Sequence, residues 1–318
     1  MYLALPTTAR PGGCETRACH VTCSWGRSAP SRPSVFHQPS LTLSHAYVTD
    51  LALSQRLERA EARANAAFVE SRARLTPALG AEWREIAGTY AMFDGAGSPL
   101  TQTFGLGLFA PASADDLATL ETFFRDRGAE VLHEVSPLAD ASLLTILPER
   151  GYRPVELTSV MHMPLPLAES TPGAPRSPSL AVRRIEPGEE AVWAATAARG
   201  WGETPEIAAF MLDFGTISAL SEGTECFVAE WDAHPIAAAA LAIHDRVALL
   251  AGASTAPEFR GRGAQAALLR ARLRYAESRG CDLAMMGAQP GSASQRNAER
   301  QGFRIAYTRI KWRLHRST

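Results

Sequence analysis

An apolar stretch that runs into a turn rich in glycine and arginine constrains this chain more than any other feature. Val247–Ser254 has the composition of a buried strand, and the turn after it contains Arg260, Gly261, Arg262 and Gly263, followed by an amphipathic helix. The first N–H groups of a helix have no partner within the helix, so such a turn predicts an anion site. The glycines allow close backbone approach, and the arginines add fixed positive charge suited to phosphate.

Two common phosphate-binding patterns do not fit this turn. A nucleotidase-type phosphate loop ends in Gly-Lys-Ser/Thr, which is absent here. The dinucleotide pattern fails as well, because Ala266 stands where its third glycine is required. The alternative to an anion site is a surface turn with two incidental arginines.

A proline-rich segment divides the chain into two halves. Residues 166–179 contain four prolines and predict an extended linker. Residues 148–163 and 298–313 share a short helix, a glycine, an aromatic residue, an arginine and a strand, and the preceding elements follow the same order. This predicts two copies of one unit, over 45–165 and 180–318. Chance similarity is the alternative, because the matched stretch is short.

The first part of the chain, residues 1–44, differs from the rest. It is rich in proline, serine and threonine and has no periodicity, which predicts a disordered extension. Its Cys14, Cys19, His20 and Cys23 match no zinc spacing that can be justified. An arginine-rich, acid-poor leader is also compatible with a transit peptide.

Charge and hydropathy exclude several classes of function. The net charge is −1, from 32 basic and 33 acidic residues, so no overall positive field is available for nucleic acid. The longest apolar run, Pro235–Ile243, has the length of a buried strand and is too short to cross a membrane. The five cysteines are too few, and odd in number, for a disulfide scaffold, which favours a cytoplasmic location.

The turn resembles the acetyl-CoA-binding motif of the GNAT superfamily of N-acetyltransferases, in which Arg or Gln is followed by two residues, Gly, one residue, and Gly or Ala. The matching residues are Arg260, Gly261, Arg262, Gly263, Ala264 and Gln265, of which Gln265 departs from the motif and would crowd a phosphate contact. The resemblance extends over residues 180–314. It implies an α/β (α+β) fold of two tandem GNAT-like domains, each with a mixed, mostly antiparallel sheet flanked by helices.

The same resemblance implies where the cofactor lies. In that family the fourth strand carries a bulge and splays from the fifth, and pantetheine fills the opening. Ala253, Ser254 and Thr255 would then contact the cofactor through the strand backbone. Ser294 is expected to cap the next helix, and Asn297 to contact the cofactor arm, unless it is an ordinary solvated helix residue. Acetyl-CoA is the implied co-substrate, and no metal is expected.

Catalytic residues are harder to assign. Many relatives place a tyrosine, thought to protonate the leaving thiolate, at the position that Ala298 occupies here, so the usual general acid is missing. Glu203 is the only candidate for a base or amine binder, because the corresponding loop lines the acceptor pocket in the resembled family. Its alternative is an ordinary carboxylate before Pro205 at a helix N-terminus.

These observations predict an acetyl-CoA-dependent N-acyltransferase that transfers an acetyl or similar acyl group to a primary amine, by direct attack in a ternary complex. The acceptor is a small molecule or a peptide. The first half is predicted not to bind CoA, because Asp115 and Asp116 replace the glycines and arginines at its equivalent turn and would repel a pyrophosphate. A non-catalytic CoA-binding regulatory module is the alternative, and a structural protein without ligand is a third possibility.

Overall fold

The computed structural model describes residues 48–167, 179–201 and 204–315. The extension predicted over 1–44, with its cysteine motif, and most of the linker predicted over 166–179 lie outside the described residues. Within the described parts of the chain, no helix is both long and apolar enough to span a lipid bilayer.

Helices and strands alternate in two similar series. The helices are α1 (Leu51–Leu75), α2 (Ala114–Arg125), α3 (Leu143–Glu149), α4 (Glu190–Trp201), α5 (Pro205–Ala219), α6 (Ala264–Ser278) and α7 (Ala293–Arg300). The strands are β1 (Glu82–Ile86), β2 (Thr89–Phe93), β3 (Gln102–Phe104), β4 (Leu132–Val135), β5 (Tyr152–Pro164), β6 (Leu180–Arg184), β7 (Thr224–Trp231), β8 (His234–His244), β9 (Val247–Thr255), β10 (Leu283–Ala288) and β11 (Arg304–Leu314).

These strands form one continuous sheet in the order β1-β2-β3-β4-β11-β5-β10-β9-β8-β7-β6. The β3–β4 and β9–β10 pairs are parallel, and the other pairs are antiparallel. Helices flank the sheet, so the predicted fold class, a mixed and mostly antiparallel sheet in two tandem units, is confirmed.

The two halves exchange their last strands. β11 of the second half lies beside β4, and β5 of the first half lies beside β10. Apart from β6, which has no counterpart, the order is symmetric about the central β11–β5 pair. This pair is long and runs in register from Arg304 opposite His162 to Leu314 opposite Tyr152, with two shifts. The domain bounds 45–165 and 180–318 stay a prediction, because the described strands continue without a break from one half into the other.

Helix α1 joins the two halves on one face of the sheet. Its N-terminus is capped by Asp50, and it packs on Tyr90 of the first half as well as on Leu249 of the second. Alternate strand residues divide the second half into two layers: Ala239 lies under α6, whereas Ala240 lies under α4. Helices α1 and α4 therefore cover the face opposite to α6, and this arrangement positions the site described below.

Beneath α1, a buried charge network fills the centre of the sheet. Arg309 of β11 forms ion pairs with Glu58 at 3.1 Å, Glu61 at 2.6 Å and Glu134 at 2.8 Å. The hydroxyl of Tyr307 donates to Glu58 at 2.9 Å. Burial raises the pKa of Glu58 to about 7, and the neighbouring carboxylates add to this although Arg309 opposes it. Burial would also raise the pKa of Glu61, but Arg309 lowers it below its ordinary value.

A Glu58→Gln variant is expected to remove part of the pH dependence of stability. Because the folded-state pKa of about 7 lies above the ordinary 4.5, the proton on Glu58 stabilises the fold at low pH, and this contribution is lost as the pH rises through 7. One pKa unit corresponds to about 1.4 kcal/mol, so the loss is on the order of 3 kcal/mol. Urea unfolding at pH 5, 6, 7 and 8 should show the variant gaining stability relative to the wild type as the pH rises.

Glu61→Gln provides the control of opposite sign. The pKa of Glu61 is lowered in the fold, so its charge stabilises the protein above the ordinary value and the contribution is lost on acidification. This variant should lose stability relative to the wild type as the pH rises toward 4.5 from the acid side, and its profile should run parallel to that of the wild type between pH 5 and 8. Parallel pH profiles for the wild type and Glu58→Gln would contradict the assignment.

Candidate active site

The N-terminus of α6 is open to an anion. Gly261 and Gly263 have φ angles of 79° and 83°, a region that glycine adopts without strain, and Gly263 occupies the N-cap position without any side-chain hydrogen bond. The first turn of α6 contains no acidic residue. Its unpaired N–H groups and the positive end of the helix dipole are therefore available to a ligand.

The equivalent helix of the first half, α2, is closed by its own side chains. Ser113 accepts a hydrogen bond from the N–H of Asp116 at 3.1 Å, and Asp116 accepts from the N–H of Ser113 at 2.9 Å. Asp115 adds a second carboxylate to the first turn. This capping box satisfies the groups that α6 leaves free, which supports the prediction that the first half binds no CoA.

Strands β9 and β10 separate beside the N-terminus of α6. They pair over Val247–Leu249 and Leu283–Met285, and the pairing ends there although both strands continue. β9 runs six residues beyond Leu249, to Thr255. The separation leaves a wedge-shaped opening between two parallel strands, as the resemblance implied.

A bulge shapes β9 next to this opening. Ala238 of β8 pairs with Ser254 and Ala240 pairs with Ala251, so β9 contains one residue more than β8 between the two pairs. Gly252 lies in this bulge with a φ angle of 60°. A bulge leaves an extra residue outside the strand ladder and bends the strand locally.

A cavity with a volume of about 130 Å³ occupies the opening. Residues 250–253 of β9 form one wall, Asn297 and Ala298 of α7 form another, and the guanidinium-bearing Arg272 of α6 forms a third. Gln265 in the first turn of α6 also lines the cavity, which therefore reaches the open helix N-terminus.

Arg272 is a buried cation in the wall of this cavity. Only 3% of it is exposed, and one of its terminal nitrogens, Nη1, donates to the carbonyls of Ala240 at 2.9 Å and Ala251 at 3.3 Å. None of the ion pairs among the described residues involves it. Burial lowers its pKa to about 9, so it keeps its charge at neutral pH. It fixes the bulge and leaves a positive charge beside the opening.

The two arginines of the turn have different contacts. Arg260 donates to the carbonyl of Gly200 at 3.0 Å and to that of Thr255 at 3.3 Å, which ties the turn to the ends of α4 and β9. Arg262 is exposed, and its guanidinium lies 4.9 Å from the ring centre of Trp231. Arg260 therefore holds the turn, whereas Arg262 rests on a ring at the surface and can turn to a phosphate without breaking an ion pair.

Three predicted contact residues next to the turn use their side chains within the protein. The hydroxyl of Ser254 donates to the carbonyl of Ala197 at 2.9 Å, so this side chain faces α4. The Nε2 atom of Gln265 donates to the hydroxyl of Thr255 at 2.7 Å. This hydrogen bond holds the Gln265 side chain against β9. The sequence had instead suggested that Gln265 would crowd a phosphate contact. Ala253 borders the cavity and Ala264 is buried at the start of α6.

At α7, one predicted role is wrong. Ser292 caps the helix by accepting from the N–H of Gln295 at 3.1 Å, whereas Ser294 lies inside the first turn and is exposed. The capping-box pattern could have separated the two serines, because Gln295 stands three residues after Ser292 whereas Asn297 stands three residues after Ser294. Ser294 and Asn297 nevertheless border the cavity, and Ala298 is buried against it. Glu203, the weak candidate for a base, lies outside the described residues.

A second cavity lies on the opposite face of the sheet, with a volume of about 70 Å³. Its walls belong to α1, α4, α5, β7, β8 and β9. Trp201, Ala251 and Gly252 line both cavities, so both border the β9 bulge.

Sequence reasoning missed three residues of this site. Gly252 could have been noticed as a glycine inside an apolar strand, which often marks a bulge. Gly200 marks a close approach between α4 and β9. An added Cβ at this position would lie 2.5 Å from Cβ of Ser254 and only 2.8 Å from the backbone nitrogen of Thr255. Arg272 follows Leu268 and Leu269 on the apolar face of α6, where a charge is unexpected.

An open helix N-terminus, an arginine-bearing turn and a wedge between parallel strands define a protein that binds a cofactor with an anionic end and an extended arm. Residues 190–303 match the sequence profile described as Acetyltransferase (GNAT) family. The chain therefore contains a domain of the GNAT family, and this match together with the fold supports acyl transfer from CoA in general.

Solved structures are similar to a large part of the chain. A GCN5-related N-acetyltransferase from Kribbella flavida has a TM-score of 0.54 and 19% identity, over 79% of this chain and 96% of that one. A tandem GNAT protein from the clavulanic acid biosynthesis pathway has a TM-score of 0.51 and 14% identity, over 72% of this chain and 79% of that one. A GCN5-related N-acetyltransferase from Sphaerobacter thermophilus has a TM-score of 0.50 and 19% identity, over 67% and 71%.

These similarities establish the fold of both halves. At such identities they carry no information on substrate. A search of curated protein sequences gave no significant match.

Proposed function

We propose that this protein is an N-acetyltransferase that moves an acetyl group from acetyl-CoA to a primary amine by direct attack within a ternary complex. The acceptor is a small molecule or a peptide. The observation that carries the proposal is the contrast between α6 and α2. The same position in the repeat is an open, glycine-rich helix N-terminus in one half and a capped, acidic one in the other.

The residues present fit acetyl-CoA along its length. The N–H groups at the start of α6, with Arg262 beside them, suit the pyrophosphate. The cavity between β9 and β10 suits the pantetheine arm, with Asn297 available to hydrogen-bond an amide. The bulge at Gly252 and Ala253 then lies where the acetyl group would meet the second cavity.

The reaction requires a neutral amine, a stabilised oxyanion and a leaving thiolate. The amine nitrogen forms a bond to the carbonyl carbon, the carbon–sulfur bond breaks, and the proton of the amine passes to solvent. Backbone N–H groups of the bulge are suited to hold the developing oxyanion. Arg272 places a positive charge beside the cavity, which favours the CoA thiolate and compensates for the absence of a proton donor at Ala298.

Two measurements test the proposal together. Calorimetry with CoA should give saturable binding to the full chain, and thiol release from acetyl-CoA should be saturable in a panel of primary amines. Saturable CoA binding without thiol release from any amine would favour the regulatory module instead. Failure of CoA to bind would exclude both readings.

We also propose a cytoplasmic location. Cys226 and Cys281 are buried and free, and burial raises the pKa of both thiols. Unpaired, unreactive thiols of this kind are common in reducing compartments.

A further inference from the structure

The second cavity, which faces α1, is chemically unusual for a site that receives an amine. Its described lining residues include no Asp, Glu, Lys, Arg or His. The walls are mostly small aliphatic and aromatic side chains, among them Trp193 and Phe214. An ammonium ion that enters loses its hydration and finds no carboxylate to balance it, so the cavity disfavours the charged form of an amine.

Two buried donors in the same cavity have no partner among the described residues. They are Nδ2 of Asn65 on α1 and Nε1 of Trp201 at the end of α4. Asn65 is only 4% exposed. Unpaired buried donors are uncommon in folded proteins, and each costs free energy until an acceptor reaches it. Both donors therefore point to a ligand that brings hydrogen-bond-accepting atoms into an otherwise apolar space.

The aromatic wall adds a preference for flat ligands. Trp193 is fully buried, and its indole N–H already donates to the carbonyl of Phe227 at 3.0 Å, so the ring is held in one orientation. Phe214 stacks on Phe68 with ring centres 4.4 Å apart. Rigid aromatic surfaces of this kind favour an aromatic partner by offset or edge-to-face packing.

We propose, on the basis of the function proposed above, that the acceptor is a weakly basic aromatic primary amine carrying an ether or carbonyl oxygen. The amine is uncharged at neutral pH, so it enters the cavity without losing a proton and needs no carboxylate there. Asn65 and Trp201 donate to the oxygen-bearing end, while the amine faces the bulge at Gly252. The first half of the chain thus contributes a specificity residue, Asn65, to the site of the second half.

Three matched amines test this substrate class at pH 7. They are 4-methoxyaniline, 4-ethylaniline, which has the same shape without the oxygen, and 4-methoxybenzylamine, which keeps the oxygen but is strongly basic. We expect kcat/KM for 4-methoxyaniline to exceed that for each of the others by about tenfold, the effect of one well-placed hydrogen bond or of one buried charge.

Asn65→Leu should abolish the preference for 4-methoxyaniline over 4-ethylaniline by lowering kcat/KM for 4-methoxyaniline about tenfold, the effect of one lost hydrogen bond. Thr224→Val, which removes a hydroxyl from the same cavity, is the matched control and should keep the preference. If the leucine variant does not fold, Trp201→Phe removes the other donor and keeps an aromatic ring. Preference for the benzylamine, or an unchanged preference in both donor variants, would overturn the proposal.

Failure of this inference and failure of the proposed function are distinguishable. Saturable thiol release with other amines but not with any of the three would overturn the substrate class alone. If CoA does not bind, saturation-transfer NMR of 4-methoxyaniline with the full chain still tests whether the cavity binds this amine. Binding that weakens in Asn65→Leu would support the assignment, and the absence of binding would overturn it.

Discussion

Replacing Gly263 by alanine is expected to weaken CoA binding about a hundredfold, because it interferes with roughly two charge-assisted hydrogen bonds at the start of α6. An added Cβ meets no heavy atom within 4 Å, so the fold itself has room for it. The cost to the free energy of unfolding is the strain of a φ angle near 83°, about 1 kcal/mol. The methyl group instead occupies the space through which a phosphate oxygen approaches the N–H groups.

Gly280 offers a matched control at the other end of the same helix. Its φ angle is 76°, and an added Cβ there also meets no atom within 4 Å. Gly280→Ala should lose a similar amount of stability in urea unfolding but bind CoA as the wild type does in calorimetry. Equal CoA affinity in the Gly263 and Gly280 variants would show that the turn does not bind the cofactor.

The second large effect is expected at Arg272, where substitution by methionine should lower kcat about a hundredfold, in line with the loss of one electrostatic stabiliser of a developing anion. The ground-state affinity for acetyl-CoA should change much less, because the charge acts mainly on the thiolate that forms as the thioester breaks. Steady-state kinetics over a range of acetyl-CoA concentrations separates the two parameters. Arg272→Lys keeps the charge and should recover part of kcat.

Arg270 serves as the control for this experiment. It lies two residues earlier on α6, and its guanidinium contacts Oε1 of Gln301 at 3.3 Å, outside the cavity wall. Arg270→Met should leave kcat within about threefold of the wild type, as expected for a substitution away from the reacting groups. A fall in acetyl-CoA affinity as large as the fall in kcat would mean that Arg272 acts only by holding the bulge.

Local features of the site could be predicted because a short stretch of sequence determines them. The turn at Gly261 and Gly263 needs only residues that adopt positive φ angles next to a helix start, and both glycines adopt them. Asp115 and Asp116 likewise mark a helix N-terminus that repels anions. The capping serine of α7 was missed because Ser292 and Ser294 are both good N-cap residues two positions apart.

Features that depend on tertiary contacts could not be predicted. Asn65 lies on a helix of the other half, and nothing in its local sequence indicates that it reaches a cavity beside Gly252. The helical spacing of apolar residues such as Leu53, Leu57 and Ala60 predicts helix α1, but it does not predict the strand interface that this helix covers. The charge network at Arg309 could not be predicted either, because Glu58 and Glu134 lie far from Arg309 in sequence.

The exchange of β5 and β11 could not be predicted from the sequence for a different reason. Both strands end the same repeated pattern of helix, glycine and aromatic residue, so each has the composition needed to pair with either β4 or β10. Strand pairing is governed by cross-strand packing and by the length of the connection, and neither distinguishes two equivalent neighbours. The sequence therefore predicts a repeat but leaves the partners of its last strands open.

The position of β11 between β4 and β5 also has a consequence for synthesis of the chain. The N-terminal half emerges from the ribosome first, yet its β4 edge has no neighbour until Arg304–Leu314 has been made. Until then an exposed strand edge is available for pairing with other chains. Such a chain depends on late, long-range closure, so we expect it to fold slowly and to benefit from chaperones during translation.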